Sequence, residues 1–178
     1  MNKEIKNLKK RVKKLEKLAM TDTTTGLRNK RQFQKDFNKL ISFMEETQEC
    51  GGTYLAILDV DDFKKINDEK GHIFGDEILK NLSMELLKMC LCCESEIDLY
   101  RWGGEEFIFL FKNISEESLN DMLQKICENK MCNVSVGVSK FRLHSLSSTL
   151  QLADKELYHV KNNGKNGYSI QTIQYVED

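Results

Sequence analysis

The sequence predicts an α+β fold, an antiparallel-rich central sheet covered by helices. Three observations carry the prediction. Short apolar runs at 53–58, 107–111 and 134–138 have the length of buried strands, while the stretches between them repeat apolar residues three and four apart, the helical spacing. Residues 97–100 and 107–111 form two runs split by Gly103-Gly104, which reads as a β-hairpin. The resulting order is helix, strand, helix, strand–hairpin–strand, helix, strand, helix, strand, which suits a sheet with helices packed over it.

Composition sets bounds. The chain has 178 residues, enough for one domain with a real core plus an appendage. Its 40% apolar and 31% charged residues are ordinary for a globular protein. No apolar run is long enough to cross a bilayer, and the charged N-terminus is not a secretory signal, so the chain reads as cytoplasmic. There is no proline, hence no proline-rich linker. The net charge of −1 is uneven: residues 1–20 hold eight Lys or Arg against two Glu, a local +6, which leaves −7 on the remainder. An acidic remainder argues against nucleic-acid binding. Of the six cysteines, Cys90 and Cys93 have the C-x-x-C spacing of a zinc or redox site. With no histidine nearby and an apolar helix end around them, reduced cysteines packed as small hydrophobes are the better reading.

Taken in order, residues 3–19 carry a seam of Ile5, Leu8, Val12, Leu15 and Ala19 among lysines. That is a short coiled-coil or signalling helix, or a frayed basic helix, appended at 1–20 to a domain over 21–178. Residues 21–27 are polar and turn-like. Asn29 can cap a helix whose apolar face is Phe33, Phe37, Leu40, Ile41 and Met44, and Gly51-Gly52 ends that region. The buried run 53–58 leads directly into Asp59. A carboxylate at the end of a buried strand is a typical metal ligand, although Asp61 and Asp62 beside it also favour a turn or helix cap. Lys64, Lys65, Asn67 and Asp68 crowd one short segment, broken by Gly71 and Gly75. Asp76 then opens a long helix with Ile78, Leu79, Leu82, Leu86, Leu87 and Met89 as core, either as its N-cap or in another role.

The run 107–111 has no polar alternation, so it should be buried on both faces. Glu105 and Glu106 lie between the glycines and this strand, and alternation should point them to opposite sides. One then faces the body of the domain, where a carboxylate needs a partner such as a metal ion. The plainer reading is a solvated hairpin tip. Ser115 can cap the next helix, with Leu119, Met122, Leu123 and Ile126 as its face. Ser118 leaves the capping box incomplete. Residues 134–138 form a strand. Leu150, Ala153, Leu157 and Val160 mark the last helix, stopped by Asn162-Asn163-Gly164, and 168–170 form a final short strand.

The stretch Tyr100-Arg101-Trp102-Gly103-Gly104-Glu105-Glu106-Phe107 resembles the signature turn of the GGDEF family, the diguanylate cyclases, in its Gly-Gly-Glu-Glu-Phe variant. Residues 21–31, 59–68, 71–76 and 153–166 match further family stretches in the same order. The resemblance implies the palm-like, ferredoxin-related βαββαβ core of nucleotide cyclases. It also implies condensation of two GTP into cyclic di-GMP and two pyrophosphates, each 3′-hydroxyl attacking an α-phosphate across a two-fold homodimer, if only a transient one. Two Mg²⁺ or Mn²⁺ ions per active site are implied, held by Asp59, the Val60 carbonyl and Glu105, with Glu106 as secondary ligand and Glu105 also as base. By the same resemblance Gly103 and Gly104 let backbone approach the phosphates, Asn67 and Asp76 take guanine with His72 close by, and Lys64, Arg101 and Lys161 contact phosphate. At Lys165 the family more often has arginine, so the charge is kept and the bidentate fork lost. Thr24 stands where leucine is expected. No nucleic acid and no membrane segment belong to this picture. In the family a helix like 1–20 couples an upstream sensor domain to the cyclase; that sensor is missing from this chain, unless the protein never had one. Many members carry an Arg-x-x-Asp product site just upstream of the turn, where this chain has Glu94-Ser95-Glu96-Ile97.

The competing reading is a degenerate GGDEF domain that binds GTP or a partner without turnover. Such domains usually lose an acidic ligand or a signature glycine, and this chain keeps them all. A coiled-coil adaptor is a remote third.

Overall fold

The computed structural model describes residues 3–47, 51–141 and 146–171. The elements are α1 (Lys3–Ala19), β1 (Arg28–Asn29), α2 (Lys30–Thr47), β2 (Tyr54–Val60), α3 (Phe63–Lys70), α4 (His72–Cys92), β3 (Glu96–Gly103), β4 (Glu106–Lys112), α5 (Glu116–Cys127), β5 (Val134–Lys140), α6 (Leu146–Asn162) and β6 (Gly167–Ile170). The strands form one sheet in the order β1-β3-β4-β2-β5-β6. Its inner pairings, β3/β4, β4/β2 and β2/β5, are antiparallel, and the edge pairings β1/β3 and β5/β6 are parallel. The α+β, antiparallel-rich architecture read from the sequence is thus the observed one.

The absence of polar alternation in β2 and β4 has a direct cause. Alternate residues of a strand face opposite ways, and helices cover both faces. Ala56, Leu58, Phe107 and Phe109 pack with Leu79, Leu82 and Leu86 of α4 and Leu119, Leu123 and Ile126 of α5. Leu55, Ile57, Ile108 and Leu110 pack with Phe33 and Phe37 of α2 and Ala153 and Leu157 of α6. Each leucine, isoleucine or phenylalanine among them contributes about 1.5–3 kcal/mol by leaving water.

Both caps form as expected: Asn29 Oδ1 accepts from the backbone N–H groups of Arg31 and Gln32, and Ser115 Oγ accepts from that of Ser118. Three features depart from the sequence reading. β1 is an extra two-residue strand that exists because the edge of β3 offers it a parallel partner. The crowded polar segment is a helix of its own, α3, anchored by buried Phe63 and ended by Gly71 at φ 85°. And α4 begins at His72, not at Asp76, so Asp76 is not an N-cap and Gly75 lies inside the helix.

α1 buries nothing: Ile5, Leu8, Val12 and Leu15 are all exposed, Leu15 to 64%, and form an uncovered apolar seam. The described cysteines are free. Cys90 sits in the core with its thiol pushed up to about 12, chiefly by burial, and Cys93 packs against the same core. The packing reading of the C-x-x-C pair therefore holds among the described residues. No described helix is long and apolar enough to cross a membrane.

Candidate active site

The site is assembled by the antiparallel pairing of β2 with β4. This register sets Asp59, near the end of β2, opposite Glu106, the first residue of β4. The backbone N–H of Val60 reaches the carbonyl of Glu105 at 3.4 Å. The connection between β3 and β4 is the Gly103-Gly104 hairpin expected from the sequence, with a bulge between Arg101 and Gly103 that the sequence did not announce. Gly104 adopts φ 48°, a left-handed conformation that disfavours any side chain. Glu105 lies in the turn and Glu106 opens the strand; both are half-buried.

Asp59 is only 8% exposed, and Lys161 of α6 places its Nζ 2.8 Å from Asp59 Oδ1. Burial raises the Asp59 carboxyl above its ordinary value. The Lys161 hydrogen bond works against that shift, and the nearby Glu105 and Asp61 reinforce it. Glu106 is raised too, by burial first and then by Asp59 and Glu105. Among the described residues no three carboxylate, imidazole or thiol groups converge at metal-ligand spacing. The donor set nonetheless suits a hard divalent cation, since it is made of oxygens whose negative charges repel one another in a half-buried place.

That repulsion yields a stability prediction. A carboxylate whose folded-state value is raised costs stability at every pH where it is ionised, and nothing once it is protonated. Glu106→Gln should therefore raise the melting temperature at neutral pH. The gain should fade as pH falls through the raised value of Glu106 towards the ordinary carboxylate range. Melting curves at several pH values check this, and a gain that persists at pH 3 would contradict it.

Arg101 is 7% exposed, its guanidinium 4.7 Å from the Phe107 ring centre, and its Nη1 is buried without a hydrogen-bond partner among the described residues. Burial works against its charge, while Asp22, Glu105, Asp76 and Glu106 all attract it. Arg101 thus joins Asp76 of α4 electrostatically to the hairpin carboxylates. Asn67 of α3 is half-buried against Gly75. Lys64 and His72 are exposed, on α3 and at the start of α4.

The turn between α6 and β6 carries Lys165 and Asn166 at φ 61° and 47°, two left-handed residues in succession. Lys165 Nζ donates to Asp62 Oδ1 at 2.6 Å, and that pair holds the Asp62 carboxyl below its usual range. The backbone N–H of Asn166 donates to Asp61 Oδ2 at 3.0 Å, and the Ser135 hydroxyl to Asp61 Oδ1 at 2.7 Å. Asp61, read from the sequence only as a turn former, is a buried tie between β2, β5 and the lysine-bearing turn. The turn reading fits its neighbour Asp62, which has φ 55°. The signal for Asp61 was the density of acids at 59, 61 and 62. Asp22, also passed over, accepts from Thr25 through both its backbone N–H and its hydroxyl.

The family model described as "Diguanylate cyclase, GGDEF domain" matches residues 19–167. The chain is 33% identical to Diguanylate cyclase VdcA of Vibrio cholerae over 92% of its own length and 50% of that protein. It is 30% identical to Cyclic di-GMP phosphodiesterase PdeR of Escherichia coli, over 87% of its own length and 24% of that protein. It therefore spans half or less of these curated relatives. The coiled coil and GGDEF domain of DgcB from Caulobacter crescentus, solved in complex with c-di-GMP, superposes with a TM-score of 0.84 at 25% identity and covers 94% of both chains.

Proposed function

Because this chain belongs to the GGDEF-domain family of diguanylate cyclases, we propose that it condenses two GTP into cyclic di-GMP with release of two pyrophosphates. The observation that carries this reading is the pairing of β2 with β4, which brings Asp59 beside the Glu105-Glu106 turn with Lys161 on Asp59. In this reading Asp59, the Val60 carbonyl and Glu105, supported by Glu106, hold Mg²⁺ or Mn²⁺. The metal, two ions per site, supplies Lewis acidity to the phosphates and lowers the cost of ionising the attacking hydroxyl. Glu105 takes the proton from the 3′-hydroxyl. Lys161 exchanges Asp59 for phosphate oxygens, and Lys165, Lys64 and Arg101 add positive charge around the leaving pyrophosphate. Lysine at 165 offers a point charge where arginine would offer a fork, so affinity for the triphosphate is lower than with arginine. Gly103 and Gly104 leave room for backbone beside the phosphates. Asp76 accepts from guanine N1 and N2, Asn67 reaches the base edge, and His72 lines the same approach.

An equimolar mixture of GTP and ATP with Mg²⁺ tests the reading, with products identified by mass spectrometry. Cyclic di-GMP alone is expected, because adenine would leave the Asp76 carboxylate facing an acceptor. Comparable adenine incorporation would refute the base assignment. Nucleotide bound but returned unchanged would favour the degenerate, binding-only reading.

A product site at residues 94–97 is not expected. Glu94 stands where a guanidinium would grip the phosphates, and it repels them. Added cyclic di-GMP should therefore not inhibit the protein through this stretch. Tight product binding lost on mutating residues 94–97 would contradict this.

A further inference from the structure

Gly75 is a glycine that the backbone does not require. It lies buried in the first turn of α4, and its backbone N–H bonds to the carbonyl of Gly71 at 3.2 Å, as in any helix. Its φ is not among the positive ones, whereas Gly71, which ends α3, has φ 85°. Alanine would be preferred to glycine inside a helix. What excludes alanine is a neighbour. A methyl group at Gly75 would overlap Oδ1 of Asn67 and stand 3.1 Å from Asn67 Cγ and from Cζ of Phe63. The carboxamide of Asn67 fills the space that the missing side chain leaves.

That placement decides which end of the carboxamide is available. Oδ1 is buried against the glycine with no hydrogen-bond partner among the described residues, although Asn67 as a whole is only half-buried. A buried acceptor without a partner destabilises the fold, so the arrangement is not held for stability. With its oxygen turned inward, Asn67 presents its NH₂ group. An NH₂ donor matches the O6 acceptor of guanine and is mismatched with the amino group adenine carries at that position.

We propose that Gly75 is a specificity-determining positioning residue, whose missing side chain seats the Asn67 carboxamide so that its NH₂ group reads the base. The proposal rests on the reading above that Asn67 faces the nucleotide base. The atom displaced by a methyl group is the far end of a flexible side chain, so Gly75→Ala should move Asn67 without unfolding the helix.

The test measures GTP and ATP affinity by calorimetry, alongside melting temperature, for the full chain and for Gly75→Ala, Asn67→Ala and the double variant. Gly75→Ala is expected to keep its melting temperature within a few degrees. GTP affinity should fall about tenfold, roughly the worth of one specific hydrogen bond, and ATP affinity should stay unchanged. Asn67→Ala should lose as much, and adding Gly75→Ala to it should cost nothing more. Gly75→Ala with wild-type GTP affinity would overturn the proposal, and so would a double variant weaker than Asn67→Ala alone. Should Gly75→Ala prove unstable, the comparison of the double variant with Asn67→Ala decides, since the overlap with the Asn67 carboxamide is absent from both and only the 3.1 Å approach to Phe63 Cζ remains in the double variant. Wild-type protein that binds GTP no better than ATP would overturn the base reading and this proposal together, an outcome distinct from the loss of the Gly75 effect alone.

Discussion

Asp59→Asn and Glu105→Gln are each expected to lower cyclic di-GMP synthesis by about 10²-fold or more, the usual cost of losing one charge-stabilising group in an active site. Both changes keep side-chain size, so the sheet should survive. Asp59 carries a buried charge that its surroundings already disfavour, and its partner Lys161 remains partly open to water. Removing that charge therefore removes a repulsion with Glu105 along with an ion pair, and the melting temperature should change little. GTP affinity should persist in both variants on the proposed reading, in which Asn67 of α3 and Asp76 of α4 take the base and the substituted carboxylates do not. Initial rates with Mg²⁺ and a parallel binding titration check the prediction. Wild-type turnover in either variant would sink the assignment of these carboxylates.

Specific activity is expected to rise with protein concentration. One site holding one GTP cannot make both bonds of a symmetric product without a second GTP facing it, and a two-fold pair of domains supplies that geometry. The exposed seam Ile5, Leu8, Val12 and Leu15 of α1 is the dimerising element read from the sequence. It is about two heptads long, marginal alone, and the +6 of residues 1–20 makes parallel copies repel within a Debye length of about 8–10 Å. The protein should be mostly monomeric at micromolar concentration. A stable parallel coiled coil fused in register ahead of Ile5 should restore activity at low concentration. Specific activity that stays flat over a hundredfold dilution, from a species shown to be monomeric, would rule out the two-fold mechanism.

What the sequence revealed and what it hid have physical reasons. β4 was legible because Phe107–Phe111 has no polar position, which only a strand covered on both faces explains. The meeting of Asp59 with the Gly-Gly hairpin was legible once both were placed at strand ends. α3 was not, because Lys64, Lys65, Asn67, Asp68 and Glu69 show no apolar period; the helix depends on Phe63 and Ile66 reaching a core built by distant residues. β1 has two residues and no propensity of its own, and it is a strand only because Tyr100 and Arg101 of β3 pair with it. Gly75 looked like a breaker because the residue it makes room for, Asn67, reaches it from another helix. Asp61 looked like a turn former because its partners, Ser135 and Asn166, are distant in the chain.

The central claim is turnover, and product stoichiometry tests it most directly. Purified protein is supplied with GTP and Mg²⁺ at high protein concentration, and cyclic di-GMP and pyrophosphate are quantified together. The account predicts that GTP is consumed and that two pyrophosphates appear for each cyclic di-GMP. GTP that binds and is recovered intact, at a concentration where the protein is shown to be dimeric, would contradict it.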